Sequence, residues 1–236
     1  METLKRNNTE KTISASDIYE NAISAIRKGK YEDALHLLNM VLLFEPEHTN
    51  ALLKKGLCYL YMHQIELAAE IFHDTREKNK NNPHVYACIA ELFKLQFEFD
   101  IAIDFCDRAI KLSGDTESDY NLMLSELFFY KYDFDTSFTY INKAIIQRPH
   151  SEYCYYWRAL ILKRFEKYDA ALSDLNKAIA MYPGFAEAYR ERASVRMRIN
   201  EVNEALKDIK IAQHVEMDEE NETEEGVRRA HHIAVL

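Results

Sequence analysis

The feature that most constrains this chain is a pair of small residues that recurs six times with a 34-residue period. The pairs are Ala22/Ala34, Gly56/Ala68, Ala90/Ala102, Ser125/Ser137, Ala159/Ala171 and Ala193/Ala205. Ala, Gly and Ser make up roughly a fifth of an average sequence, so twelve such residues have chance odds on the order of 10⁻⁸ before the choice of register is counted. The physical cause is close approach: two antiparallel helices joined by a short turn touch where neither side chain is bulky. Pro46, Pro149 and Pro183 set the register, each at the thirty-second position of a unit. The units are then 15–48, 49–82, 83–117, 118–151, 152–185 and 186–219, with one extra residue in the linker 113–117. A polar segment, 1–14, precedes them, and 220–236 is expected to be an acidic, mobile tail or a short capping helix.

Other positions repeat with the same period. The seventeenth is apolar or aromatic in every unit (Tyr31, Ile65, Phe99, Phe134, Tyr168, Val202), as is the twenty-fourth (Leu38, Phe72, Cys106, Ile141, Leu175, Ile209). The twenty-seventh is small or β-branched, from Val41 and Thr75 to Ala212. Only 5 glycines and 4 prolines in 236 residues argue for helices over turn-rich β structure. The pattern resembles the tetratricopeptide repeat, and most closely in the fifth unit, whose run from Tyr168 to Ile179 leads on to Pro183. The resemblance implies an all-α fold: twelve helices, paired as six hairpins and stacked into a right-handed α-solenoid with a concave groove. Each hairpin alone cannot bury its apolar face, so neighbours cover it and stability propagates along the stack.

Chemistry is absent where an enzyme would show it. No glycine-rich phosphate loop, nucleophile elbow, paired-cysteine zinc site or metalloprotease helix can be drawn, so no catalytic residue, no metal site and no cofactor is expected. His84 and Cys88 lie four apart on a helix, and His231–His232 lie in the tail; each pair supplies two ligands where a site needs three or four. The net charge of −9, part of it concentrated in 216–225, argues against nucleic acid. No window reaches membrane-spanning length, and the N-terminal residues show no export signal, so the reading expects a cytoplasmic protein with no membrane partner. Cys58, Cys88, Cys106 and Cys154 then read as reduced, mostly buried thiols.

In the family, the second, fifth, ninth and twelfth residues of each first helix line the groove, a spacing that makes one helical stripe. In the first two units the stripe is apolar: Tyr19, Ile23, Ile26, Leu53, Leu57 and Leu60. Its middle is polar, with His84, Glu91, Lys94, Asp119 and Glu126. Its far end is aromatic and basic, with Phe129, Tyr153, Tyr156, Leu160, Lys163 and Arg190. The core positions are filled by other residues, so this stripe reads as exposed and available to a partner. A carboxylate clamp for acidic C-termini would need Lys and Asn where Tyr19 and Ile23 stand, and the sixth positions carry no asparagine ladder. Arg190, Arg192, Arg196 and Arg198 crowd the last first-helix, either as a solvated end or as an anion site for the acidic tail.

The expected function is a non-enzymatic scaffold or adaptor that binds an apolar or amphipathic segment of a protein or peptide partner, with self-association left open. The alternatives are a chaperone for a secreted or assembling protein and a regulatory subunit of an enzyme on another chain.

Overall fold

A computed structural model describes residues 14–114 and 118–222, whose regular structure is all helix with no strand among them. The polar segment up to residue 13, the linker residues 115–117 and the tail from 223 lie outside the described residues. Helices pair in chain order: α1 (Ala15–Arg27) with α2 (Tyr31–Phe44), α3 (Thr49–Tyr61) with α4 (Ile65–Lys78), and α5 (Pro83–Leu95) with α6 (Phe99–Ser113). The second half repeats the scheme: α7 (Ser118–Tyr130) with α8 (Phe134–Gln147), α9 (Glu152–Arg164) with α10 (Tyr168–Met181), and α11 (Ala186–Arg198) with α12 (Val202–Glu222). The six hairpins stack as the α-solenoid expected from the period.

Local sequence explains where the helices begin. Ser14 opens α1 with a reciprocal capping box, its hydroxyl accepting from the Asp17 amide at 3.1 Å while Asp17 accepts from the Ser14 amide at 3.0 Å. Asn82 accepts from the His84 amide ahead of Pro83, whose fixed φ and missing N–H suit a first helical position.

The turn inside each hairpin is closed in one way. One residue in it takes a left-handed φ of 58–69°, at Gly29, His63, Phe97, Tyr132, Glu166 and Asn200. The next N–H returns to the carbonyl five residues back at 2.8–2.9 Å, which satisfies an orphan helix-end acceptor. Only Gly29 adopts that φ freely; for an L-residue the left-handed conformation costs about 1–2 kcal/mol.

At the hairpin crossings, all twelve small residues are buried. Close approach is tight at Gly56, where an added Cβ would stand 2.3 Å from the Phe72 ring. The fourth hairpin uses serines at both crossing positions, and their chemistry is satisfied across the contact. Ser125 Oγ donates to the Ser137 carbonyl at 2.9 Å, and Ser137 Oγ donates to the Ser125 carbonyl at 2.7 Å. A buried hydroxyl costs little when it is hydrogen-bonded, so this hairpin keeps the close approach without alanine.

The core is a chain of overlapping three-helix units. Leu53, Leu57 and Leu60 of α3 meet Ala68 and Phe72 of α4 and Val85, Cys88, Ile89 and Leu92 of α5 in one cluster. The clusters of the first, third and fourth hairpins are built the same way, each from one hairpin and the first helix of the next, while that of the fifth also takes in Ala212 of α12. All four cysteines are free and buried. Burial pushes the Cys58 and Cys88 thiols up to about 12 and Cys154 to about 11, which leaves them as packing groups.

Replacing Gly56 or Ala90 with Leu should lower stability by about 1–3 kcal/mol or more through overpacking. Thermal unfolding followed by circular dichroism should show Tm reduced by several degrees in both variants. An unchanged Tm would contradict the crossing geometry.

Candidate functional site

The stripe along the first helices is the candidate site, and its three parts differ. In the first hairpin, Tyr19 and Ile23 are half-buried beside the core cluster, and the Tyr19 ring lies tilted on His48 with centroids 5.1 Å apart. Burial, then Glu20, pushes the Tyr19 hydroxyl up to about 12. Ile26 is buried in the first-hairpin cluster, and Leu53, Leu57 and Leu60 are at most 2% exposed in the cluster shared by α3, α4 and α5. The expectation that these four form an exposed apolar face is therefore corrected. Successive hairpins approach closely enough for the first helix of one to cover the stripe of its predecessor. A surface assignment for these residues follows only when contacts within one hairpin are counted.

The middle of the stripe is closed by charge. Lys94 on α5 stands between Glu91 of the same helix, at 2.7 Å, and Glu126 on α7, at 3.0 Å. All three are buried, and the Tyr61 hydroxyl of α3 donates to Glu91 at 3.1 Å. Burial opposes the Lys94 charge, but Glu126 and Glu91 outweigh it and hold the ammonium above the ordinary lysine range. Burial, followed by Glu91, holds the Tyr61 hydroxyl well above the usual phenol range. Three hairpins are thus tied together by one network, the arrangement a buried ionic group needs to be tolerated. His84 meets the Tyr120 hydroxyl at 2.8 Å through Nδ1, whereas Cys88 belongs to the α3–α5 core cluster. No group of three or more metal-ligating side chains forms among the described residues. The His231–His232 pair lies outside them.

The far end is different. Phe129, Tyr153, Tyr156 and Leu160 are partly exposed, as Tyr19 and Ile23 of the first hairpin are, and Tyr153 and Tyr156 lean on the Phe185 ring with centroids 5.1 and 4.9 Å away. Phe129 meets Trp157 edge-on at 5.5 Å. Lys163 pairs with Glu191 and reaches Ser194 Oγ at 3.3 Å, while the exposed Arg190 pairs with Glu216 of α12. Such pairs near the surface are weak and exchangeable, worth about 0–1 kcal/mol. Burial, then Glu191 and Glu187, raises the Tyr156 hydroxyl above its ordinary range.

The arginines of α11 resolve into separate roles. Arg192 forks onto the buried Asp208 at 2.7 and 3.0 Å, and its remaining nitrogen donates to Asn176 of the preceding hairpin at 2.7 Å. Arg158 repeats the motif one unit earlier, with Asp174 at 2.7 and 2.9 Å and Asn142 at 2.9 Å. Arg196 adds a bond to Asp208 at 2.8 Å. Arg192 therefore joins the fifth and sixth hairpins and Arg196 ties α11 to α12 within the sixth: they form neither a solvated end nor an anion site. Glu216, the first residue of the acidic run, does reach Arg190, and α12 continues to Glu222.

A tetratricopeptide-repeat family model matches residues 156–214, the fifth and sixth hairpins. The fold extends the match over most of the chain: the thermophilic protein TTC0263 of Thermus thermophilus superposes with a TM-score of 0.69 at 14% identity, over 78% of this chain and 100% of that one. Residues 156–214 thus match the tetratricopeptide-repeat family, and the fold of the described residues is that of a tetratricopeptide-repeat solenoid. The repeat stack also superposes on the anaphase-promoting-complex assembly Cut9–Hcn1, TM-score 0.75 at 12% identity, over 93% of this chain and 44% of that one. A third structure, YrrB, described as a tetratricopeptide-repeat protein with an unusual peptide-binding site, gives 0.53 at 15% identity, over 77% of this chain and 93% of that one. No curated protein matches by sequence. Among the described residues no helix is long and apolar enough to cross a membrane.

Reasoning from the repeat positions alone does not bring out the Lys94 network as a unit. Its signal is nonetheless in the sequence: Glu91 and Glu126 occupy the ninth position of adjacent repeats and Lys94 the twelfth between them. Trp157, which borders the open end, sits at a sixth position, where the sequence shows only that an asparagine is missing.

Leu57→Ser should cost about 2–5 kcal/mol of stability, as truncation in a packed core does. Lys94→Met should cost about 3–5 kcal/mol because two buried carboxylates lose their cation, and adding Glu91→Gln and Glu126→Gln should recover most of that loss. Urea unfolding measures both. A Leu57→Ser chain as stable as the parent would return that residue to the surface.

Proposed function

We propose that this chain is a tetratricopeptide-repeat scaffold that holds an apolar or amphipathic segment of a partner protein, at the inner stripe of its last three repeats. The observation that carries this reading is the contrast along the stripe. Repeats two and three cover it with leucines and the Lys94 network, whereas repeats four to six leave Phe129, Tyr153, Tyr156 and Leu160 partly exposed beside Lys163 and Arg190. The tyrosine rings offer contact area, and the two cations favour a partner with carboxylates flanking its apolar residues. The family fold supports protein or peptide partners, and YrrB, which shares it, is described as peptide-binding.

The test is capture of partners by the full chain, with a Leu160→Asp/Lys163→Glu variant alongside. The expected result is a partner, identified by mass spectrometry, that binds the variant at least about tenfold more weakly by calorimetry, a loss of about 1.4 kcal/mol or more. Helical content should stay unchanged, because both side chains are partly exposed. Equal affinity for parent and variant would remove this stretch as the binding site. One stable client would mark a chaperone; several partners would mark a scaffold.

A further inference from the structure

The hairpin turns of the third and fourth repeats carry an aromatic edge that packing does not explain. Residues 96–100 read Gln-Phe-Glu-Phe-Asp and 130–135 read Tyr-Lys-Tyr-Asp-Phe-Asp, so rings alternate with charges in both turns. Phe97 and Tyr132 are 79% and 78% exposed. Both occupy the left-handed turn position, with φ of 63° and 62°. The equivalent residue is glycine in the first repeat and asparagine in the sixth, side chains that take this conformation far more readily than an aromatic. Phe97 and Tyr132 are therefore unfavourable twice over, in backbone conformation and in solvent exposure.

The rings are continuous from one turn to the next. Phe97 meets Phe99 at 6.2 Å, Phe99 stacks on Tyr130 at 5.6 Å, and Tyr130 meets Phe129 at 6.2 Å. Phe129 meets Phe134 at 5.3 Å, and Phe134 meets Tyr132 at 6.1 Å. Around them stand four carboxylates, Glu98, Asp100, Asp133 and Asp135, against one cation in the same turns, Lys131, which pairs with Asp100. The chain also shows what such rings accept. The Arg164 guanidinium of the next repeat lies 5.7 Å from the Phe129 ring centre and 5.8 Å from that of Phe134.

We propose that this edge, which adjoins the inner stripe at Phe129, is a second docking surface for a basic peptide segment of a partner protein whose arginine or lysine side chains stack on the exposed rings. Charge complementarity selects the occupant. Aromatic faces attract cations, the surrounding carboxylates reinforce that preference, and the same carboxylates repel a nucleic-acid backbone or an anionic membrane.

The experiment compares the full chain with Phe97→Asn/Tyr132→Asn, which removes both rings, keeps the charge and relieves the turn. A second variant, Glu98→Gln/Asp135→Asn, keeps the rings and removes two carboxylates. The probe is a fluorescein-labelled dodecapeptide of alternating arginine and leucine, read by anisotropy, with an alternating glutamate and leucine peptide as control. The arginine peptide should bind the parent chain and lose at least about tenfold in affinity on the ring variant, whose Tm should be equal to or above the parent's. The carboxylate variant should bind severalfold more weakly and show a shallower salt dependence. Equal binding by parent and ring variant, no binding by the parent, or binding of the glutamate peptide that the ring variant weakens to the same extent would overturn the proposal. So would a parent dimer in analytical ultracentrifugation that the ring variant abolishes, since the edge would then serve a second copy of this chain.

Discussion

Everything in this structure depends on how closely two helices of one hairpin can approach. Six crossings, each between residues no larger than serine, bring the backbones near enough for the next helix to lie across both. That third helix completes a core cluster and at the same time begins the following hairpin, so one contact sets both the local packing and the advance along the stack. The serine pair in the fourth hairpin shows the requirement is for size and satisfied polarity rather than for alanine itself, since its two hydroxyls donate across the crossing. Specific polar bonds fix how later hairpins sit on one another, with Arg158 and Arg192 each joining an aspartate of their own hairpin to an asparagine of the one before.

The same closeness divides the inner stripe. Where α3, α5 and α7 follow one another, leucines and then the Glu91–Lys94–Glu126 network fill the space between them. A buried network of this kind is a poor source of net stability, but it penalises any shift of one hairpin against the next, because a displaced carboxylate would lie buried without its cation. Beyond it the stripe opens, and rings supported on Phe185 and Trp157 remain within reach of solvent. Covered stretches in the second and third repeats, next to partly exposed rings in the last three, suit a preformed binding surface, which lowers the ordering cost of binding.

The fold was legible because its determinants are local and periodic. The small pairs, the apolar or aromatic seventeenth position and the phase of the prolines all report hairpin geometry. The site was less legible for the opposite reason. Whether Leu53 or Leu160 is covered depends on the next hairpin, and both occupy stripe positions in apolar surroundings. Nothing in the period distinguishes them. The arginines of α11 were ambiguous for a similar reason: their partner Asp208 lies sixteen residues beyond Arg192 on the second helix, a spacing that becomes visible only when Arg158 and Asp174 are seen to repeat it. Phe97 and Tyr132 were hidden in a turn position that carries six different residues, so its left-handed geometry left no compositional mark.

Hydroxyl-radical footprinting with mass spectrometry tests the division of the stripe most directly, because it reads side-chain solvent access residue by residue. Leu53, Leu57 and Leu60 should be protected in the native chain to the level seen for Leu38 in the first core cluster, while Tyr153, Tyr156 and Leu160 should be modified at a clearly higher rate. Modification of the three α3 leucines at the rate of Leu160 would show an inner stripe open along its whole length and would contradict the structure described here.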